Sequence, residues 1–277
     1  MIGTALLALS TFAVGSSAGG PLFTADWTSW RVRRAELLRA PDGWLALVGL
    51  HWLSPGENRI PGLPGTFTLD GGKVRLDAPA AAGYVLAGKP LTSAVLATDA
   101  THAADRVTVG SRTLMVIDRG GKLAVRVWDA ESPARKGFHG IDAFPPDPRW
   151  RVVGRWEPYP QPRQVEVPSV VGIPSIEKAP GRVHFELAGR ALALEPTVEE
   201  DGTLFFVFRD ATAGEETYGA GRFLSADPAR DGKVVLDFNR ARNPPCAFTP
   251  FATCPLPLPQ NVLPVRIEAG EKKWGDH

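Results

Sequence analysis

Apolar and polar residues alternate with a period of two along most of this chain, and glycine-centred turns punctuate the alternation. Thr66-Phe67-Thr68-Leu69 and Lys73-Val74-Arg75-Leu76 flank Asp70-Gly71-Gly72. Thr113 to Ile117 and Leu123 to Trp128 flank Asp118-Arg119-Gly120-Gly121, and Arg182 to Leu187 and Ala191 to Leu194 flank Ala188-Gly189. Asp201-Gly202 introduces Leu204 to Phe208, and Asp231-Gly232 introduces Lys233 to Phe238. Glycine supplies the positive φ of tight turns at no steric cost, so each of these is a hairpin signal with a mechanism. The turn spacing of roughly 8 to 15 residues, without intervening helices of crossover length, predicts an all-β fold of antiparallel sandwich or barrel-like sheets.

One segment departs from the pattern. Trp27, Trp30, Leu37 and Leu38 recur at helical spacing, with Arg31, Arg33, Arg34 and Glu36 largely elsewhere. This predicts a short N-terminal helix capped by Asp26 and stopped by Pro41-Asp42-Gly43, its aromatic face docking on the body. Before it, Met1 to Val14 form an apolar run followed by small residues. That run is shorter than the roughly 20 residues of a membrane helix and has the form of a secretory signal over residues 1–18, although no Lys or Arg precedes it. A mis-assigned start or a buried N-terminal helix is the alternative. The expectation is a secreted or periplasmic protein with no membrane span once the signal is removed.

Phe144-Pro145-Pro146-Asp147-Pro148 cannot continue a central strand, because proline fixes φ and lacks an amide donor. It divides the chain into an N-terminal β lobe (19–145) and a C-terminal β lobe (146–277), or crosses one continuous domain. A second proline-rich stretch, Pro244 to Pro264, mixes prolines with both cysteines, two Asn and two Phe, and is too varied for a flexible linker.

Composition removes several classes. With 31 basic and 30 acidic side chains the net charge is +1, which supplies no field for nucleic acid. At 44% hydrophobic and 22% charged the chain is of globular composition. No nucleophile elbow, phosphate-cradling loop, zinc-protease helix or dinucleotide fingerprint is present, and nothing indicates a particular cofactor.

The C-terminal half concentrates the polar chemistry: Thr217 to Leu224, Asp237 to Pro257, Asn261 and Ala269-Gly270-Glu271. Together with Gly43 to Leu53, these residues resemble the bacterial family called domain of unknown function 1684. The resemblance implies a shared fold and brings no activity, cofactor or partner with it.

Strand alternation places Tyr218, Ala220 and Arg222 on one face and Val235, Asp237 and Asn239 on another. If the two strands pair, Tyr218, Arg222, Asp237 and Asn239 converge. The glycines between Tyr218 and Arg222 permit close backbone approach, and the proline-rich loop forms a stiff wall. Such a site suits a small polar or anionic ligand. The competing reading is a plain solvent face whose ion pair contributes about 0–1 kcal/mol.

Cys246 and Cys254 are expected to form a disulfide, because a secreted chain with two nearby cysteines is normally oxidised; a metal site, a thiol nucleophile and inert buried thiols are the alternatives. Of His51, His102, His139, His184 and His277, none stands at a standard metal spacing from them; His51 reads as a core residue, and His139 lies in a loop able to reach a cleft. Glu271 is a further carboxylate. Two other functional classes follow: a metal- or thiol-dependent hydrolase using Cys246, Cys254 and His139, and a cell-surface interaction module presenting some of the eight tryptophans.

Overall fold

The computed structural model describes residues 21–101 and 103–275. The signal-like segment lies outside them, as do His102 and His277. The fold is mostly β, with four antiparallel sheets and one long N-terminal helix. Among the described residues no helix is long and apolar enough to cross a membrane.

The first sheet runs Leu47–Trp52, Lys122–Asp129, Arg112–Arg119, Val107–Val109, Val85–Leu86, Lys89–Pro90. It faces a second sheet of Gly56–Asn58, Thr66–Asp70, Lys73–Asp77 and Ser93–Leu96. Phe67, Val74 and Leu76 from one meet Leu114, Val116 and Val125 from the other in a single core. The third sheet, Arg190–Leu194, Ser175–Leu187, Arg151–Val167 and Lys233–Asp237, faces a three-stranded sheet of Thr197–Val198, Leu204–Phe208 and Arg222–Ala226. Val183, Phe185, Phe206, Phe208 and Leu236 fill the space between them, closed by Val265 and Ile267 from the C-terminal segment. Burying such side chains contributes roughly 1.5–3 kcal/mol each.

The predicted hairpins at Asp70-Gly72, Asp118-Gly121, Ala188-Gly189 and Asp201-Gly202 are present because their turns and their alternating apolar faces agree. The Asp231-Gly232 turn makes no hairpin of two strands: it joins strands of different sheets, and Lys233–Asp237 pairs with Arg151–Val167 instead. Arg151–Val167 is different: it is a 17-residue strand carrying Pro158, Pro160 and Pro162. Its register explains how it tolerates them. Pro158 pairs with Gly181 and Arg163 with Ala179, so residues 159–162 stand opposite Pro180 alone in a wide bulge. The Phe144–Pro148 segment is held rather than loose: Phe144 is buried, its N–H donates to Gly270 O at 3.0 Å, and Asp147 caps the 3₁₀ turn Pro148–Trp150.

The helix Pro21–Arg39 is longer than expected and packs on a different stripe. Asp26 lies inside it and pairs with Arg240 instead of capping. Leu38 is fully buried, whereas Leu37 is 68% exposed. The packed face is Trp27, Arg31, Arg34 and Leu38, spaced at i, i+4, i+7 and i+11. Two arginines belong to it because the surface they meet is made of carbonyls and a carboxylate. Arg31 donates to Ile141 O, and Arg34 to Asn243 O at 2.9 Å and Glu271 Oε1 at 3.0 Å.

Small clusters join the two large cores. Leu38, Leu45 and Phe138 pack with Phe248, Tyr218 and Trp274, and Trp44 touches three of these clusters. Thr249 Oγ1 donates to Leu47 O at 2.9 Å across the same seam.

Candidate functional site

The four residues expected to converge do not. Arg222 opens its strand, but the segment before it is a turn, so strand alternation does not extend back to Tyr218. The strand Lys233–Asp237 passes at its end into a 3₁₀ turn containing Asn239. The two strands also belong to different sheets.

Arg222 is 1% exposed and points into the core. One guanidinium nitrogen donates to Ala269 O; Nη2 donates to Asp210 Oδ1 at 3.1 Å and Ile267 O at 3.0 Å, and the plane lies over Phe208 at 5.3 Å. Its carboxylate partner is therefore Asp210, not Asp237. Asp210 also accepts the Ile267 N–H at 2.7 Å and the Thr212 hydroxyl at 2.8 Å. This is a buried internal tie between three chain segments, outside the cleft.

Asp237 caps its own turn, accepting the Asn239 N–H at 3.2 Å and Nδ2 at 2.9 Å. Buried Asn239 clasps Asp147, accepting its N–H at 2.9 Å and donating to its O at 3.0 Å, while its own carbonyl receives Trp27 Nε1 at 3.0 Å. Tyr218 OH donates to Cys246 O at 3.2 Å. His139 is exposed in the loop after Pro133–Lys136. Glu271 is buried and accepts from Arg34 and from Asn243 N at 2.7 Å.

Cys246 and Cys254 are free thiols, not a disulfide; the Cys246 N–H donates to Cys254 Sγ at 3.0 Å. Among the described residues no group of three or more His, Cys, Asp or Glu is assembled to hold a metal ion. His139 is not gathered with the cysteines, and the hydrolase reading loses its constellation. Of the tryptophans, only Trp52 is exposed, at 40%, which removes the motive for an aromatic interaction surface.

The proline-rich segment does wall a cleft, on the other side of the three-stranded sheet. The cleft encloses about 630 Å³. Val167, Ile176 and Glu177 line it from the long hairpin, Thr197, Glu199, Phe205 and Val207 from the small sheet, and Pro255, Leu256 and Leu258 from the loop. Arg119 and Gly120 close one end from the N-terminal half. The loop is fixed there by main-chain bonds to the hairpin tip: Leu256 N to Pro168 O at 2.7 Å and Val170 N to Cys254 O at 3.0 Å.

Glu195 lies on the cleft's inner wall, 3% exposed. Its carboxylate receives Tyr159 OH, Arg182 Nε at 3.0 Å and Gln260 Nε2 at 3.0 Å. Burial pushes this carboxyl up, but the three donors outweigh it and hold it below the usual carboxylate range. The bulge in Arg151–Val167 is what aims Tyr159 here. Asn261 fixes the backbone of Glu195 from both sides, accepting its N–H at 2.8 Å and donating to its O at 2.8 Å.

Glu199 differs. Among the described residues its carboxyl, like that of Glu177, has no hydrogen-bonding or ion-pair partner within contact distance. Partial burial, then repulsion from Glu177 and Asp201, raises it above the ordinary value, and only Arg242 opposes the shift. Arg119 brings little free positive charge to the cleft, because it is paired to Asp99 at 2.8 Å and bonded to Thr253 Oγ1 at 3.2 Å. The unneutralised charge facing the cleft is acidic. One sequence signal pointed to it: in Glu195-Pro196-Thr197-Val198-Glu199, period-two alternation puts Glu195, Thr197 and Glu199 on one face.

A family model described as "Protein of unknown function (DUF1684)" matches residues 136–272. The chain belongs to the DUF1684 family. The DUF1684 match takes in the cleft's hairpin, small sheet and proline-rich loop, while Gly43 to Leu53 falls outside it. A solution NMR structure of an uncharacterized protein of Haloarcula marismortui is 31% identical, over 52% of this chain and 82% of that one, with a TM-score of 0.44. No curated protein matches the chain.

Proposed function

We propose that this DUF1684 protein binds a small organic cation, an amine with an apolar body, in the cleft between the long hairpin and the proline-rich loop. The observation that carries this reading is the pair Glu177 and Glu199, two carboxyls without close partners on the rim of an apolar-walled recess of about 630 Å³. Holding like charges together costs free energy, and a cation seated between them relieves it. The walls of Ile176, Phe205, Leu256 and Leu258 offer apolar area to the rest of the molecule. An anion, one of the two ligand classes expected from the sequence, meets the wrong sign of charge here.

The test is a thermal-shift and calorimetric panel of arylalkyl amines, matched carboxylates and neutral alcohols. Amines are expected to raise the melting temperature selectively. Glu199→Gln is expected to weaken amine binding by about tenfold, the worth of one charge-assisted contact of ~1.4 kcal/mol. Binding should tighten as pH rises through the range in which Glu199 ionises. A panel in which carboxylates bind as well as amines, or equal affinity in Glu199→Gln, removes the proposal.

A further inference from the structure

Two thiols meet at the back of the cleft wall. Cys246 follows Pro245 in a 3₁₀ turn and is half-buried; Cys254 is 4% exposed and immediately precedes the wall residues Pro255 and Leu256. The segment between them folds back on itself so that the Cys246 N–H donates to Cys254 Sγ at 3.0 Å. The side chains share an apolar pocket with Ala252, Phe223 and Trp44. We propose that Cys246 and Cys254 form a reversible dithiol–disulfide couple that exchanges with small-molecule disulfides, Cys246 attacking and Cys254 resolving.

The division of roles follows from the surroundings. Cys246 is the more accessible of the two, and its thiol is held below the ordinary range by a hydrogen bond from Cys254, burial opposing and Tyr218 assisting. Cys254 is pushed up by that same bond and by burial, so it stays a thiol until its neighbour has reacted. The guanidinium of Arg126 stands near Cys254, its Nε without a hydrogen-bonding partner among the described residues, and favours the thiolate when it forms.

In the first step the Cys246 thiolate attacks one sulfur of a disulfide RSSR, breaking its S–S bond to give a mixed disulfide and RS⁻. The Cys254 thiolate then attacks Cys246 Sγ, forming the protein disulfide and releasing a second RS⁻. The two protons from the cysteines end on the two RSH products; the protein loses two electrons and RSSR gains them. Because Pro255 and Leu256 follow Cys254 directly, the bond pins one end of the cleft wall.

The experiment treats folded, reduced full-length protein with oxidised glutathione, followed by native-state alkylation and intact-mass measurement. The expected result is loss of both alkylatable thiols, a mass decrease of two hydrogens, a Cys246–Cys254 cross-linked peptide, and full return on dithiothreitol. Cys254→Ser should accumulate a glutathione adduct on Cys246, while Cys246→Ser should gain none. Two thiols still alkylated after oxidant, or only intermolecular disulfides, overturn the proposal. The wild-type measurement decides it even where a serine variant does not fold.

Discussion

Arg222 illustrates how a polar residue on a strand acquires its meaning from what covers it. It shares its face of the strand with the core residues Leu224 and Ala226, and the C-terminal segment lying over that face supplies the carbonyls of Ile267 and Ala269. Truncating it leaves Asp210 buried and unpaired, so Arg222→Met is expected to destabilise the protein by about 3–5 kcal/mol. Urea denaturation checks this, with Asp210→Leu added to Arg222→Met recovering part of the loss. Cleft binding in any Arg222 variant that stays folded should match wild type, since the residue is not in the cleft.

Two of the cleft glutamates, Glu195 and Glu199, respond oppositely to pH. Glu195 is held below the ordinary value, so the unfolded chain binds the proton more readily; its stabilisation is present above the unfolded pKa and is lost as pH falls through the folded one. Glu199 is raised, so the folded state binds the proton more readily, and stability declines as pH climbs from the ordinary glutamate value through the raised one. In Glu199→Gln that decline should be absent from a series of urea midpoints measured across the acid range. A decline of unchanged slope would locate it at another group.

At the scale of elements, the strand Arg222–Ala226 depends on the turn that feeds it. Gly221 has φ +105°, and a Cβ there would stand 2.6 Å from Phe208 O and 2.9 Å from Pro257 Cγ. The close approach expected of the glycines before Arg222 is present, though it serves backbone packing and not a ligand. Gly221→Ala is expected to cost about 1–3 kcal/mol from backbone strain and crowding. Gly219→Ala is the control: the nearest atom to its Cβ would be 3.8 Å away, and its midpoint should be close to wild type. The bulged strand Arg151–Val167 escaped sequence reading for a related reason. Its prolines argue against a ladder, and only the register opposite Pro180 shows where their missing donors are not needed. The helix stripe was misjudged because arginines count as outward by polarity, whereas Arg31 and Arg34 find buried acceptors.

At the scale of the molecule, the two large cores are laced together by side chains from both halves. Leu38, Leu45 and Phe138 form one cluster with Phe248 and Tyr218, and Trp44 packs against both the cluster that contains Cys254 and the one that contains Trp128. Neither half can open without exposing this seam to water. Calorimetry is expected to show one unfolding transition with van't Hoff and calorimetric enthalpies equal. Two resolved transitions would mark the halves as independent folding units.

Local chemistry was enough to determine that this chain is mostly antiparallel β, where its principal hairpins turn, and that its proline-rich segment is structured. Each of these depends on residues adjacent in sequence: a period of two, a glycine at positive φ, a proline without an amide. Which charges meet depended on the tertiary structure. Arg222 found Asp210 instead of Asp237, and the cleft formed around Glu195 and Glu199, because partners are chosen by which segments cross in space. That crossing is set by the packing of two pairs of sheets, and no local pattern encodes it.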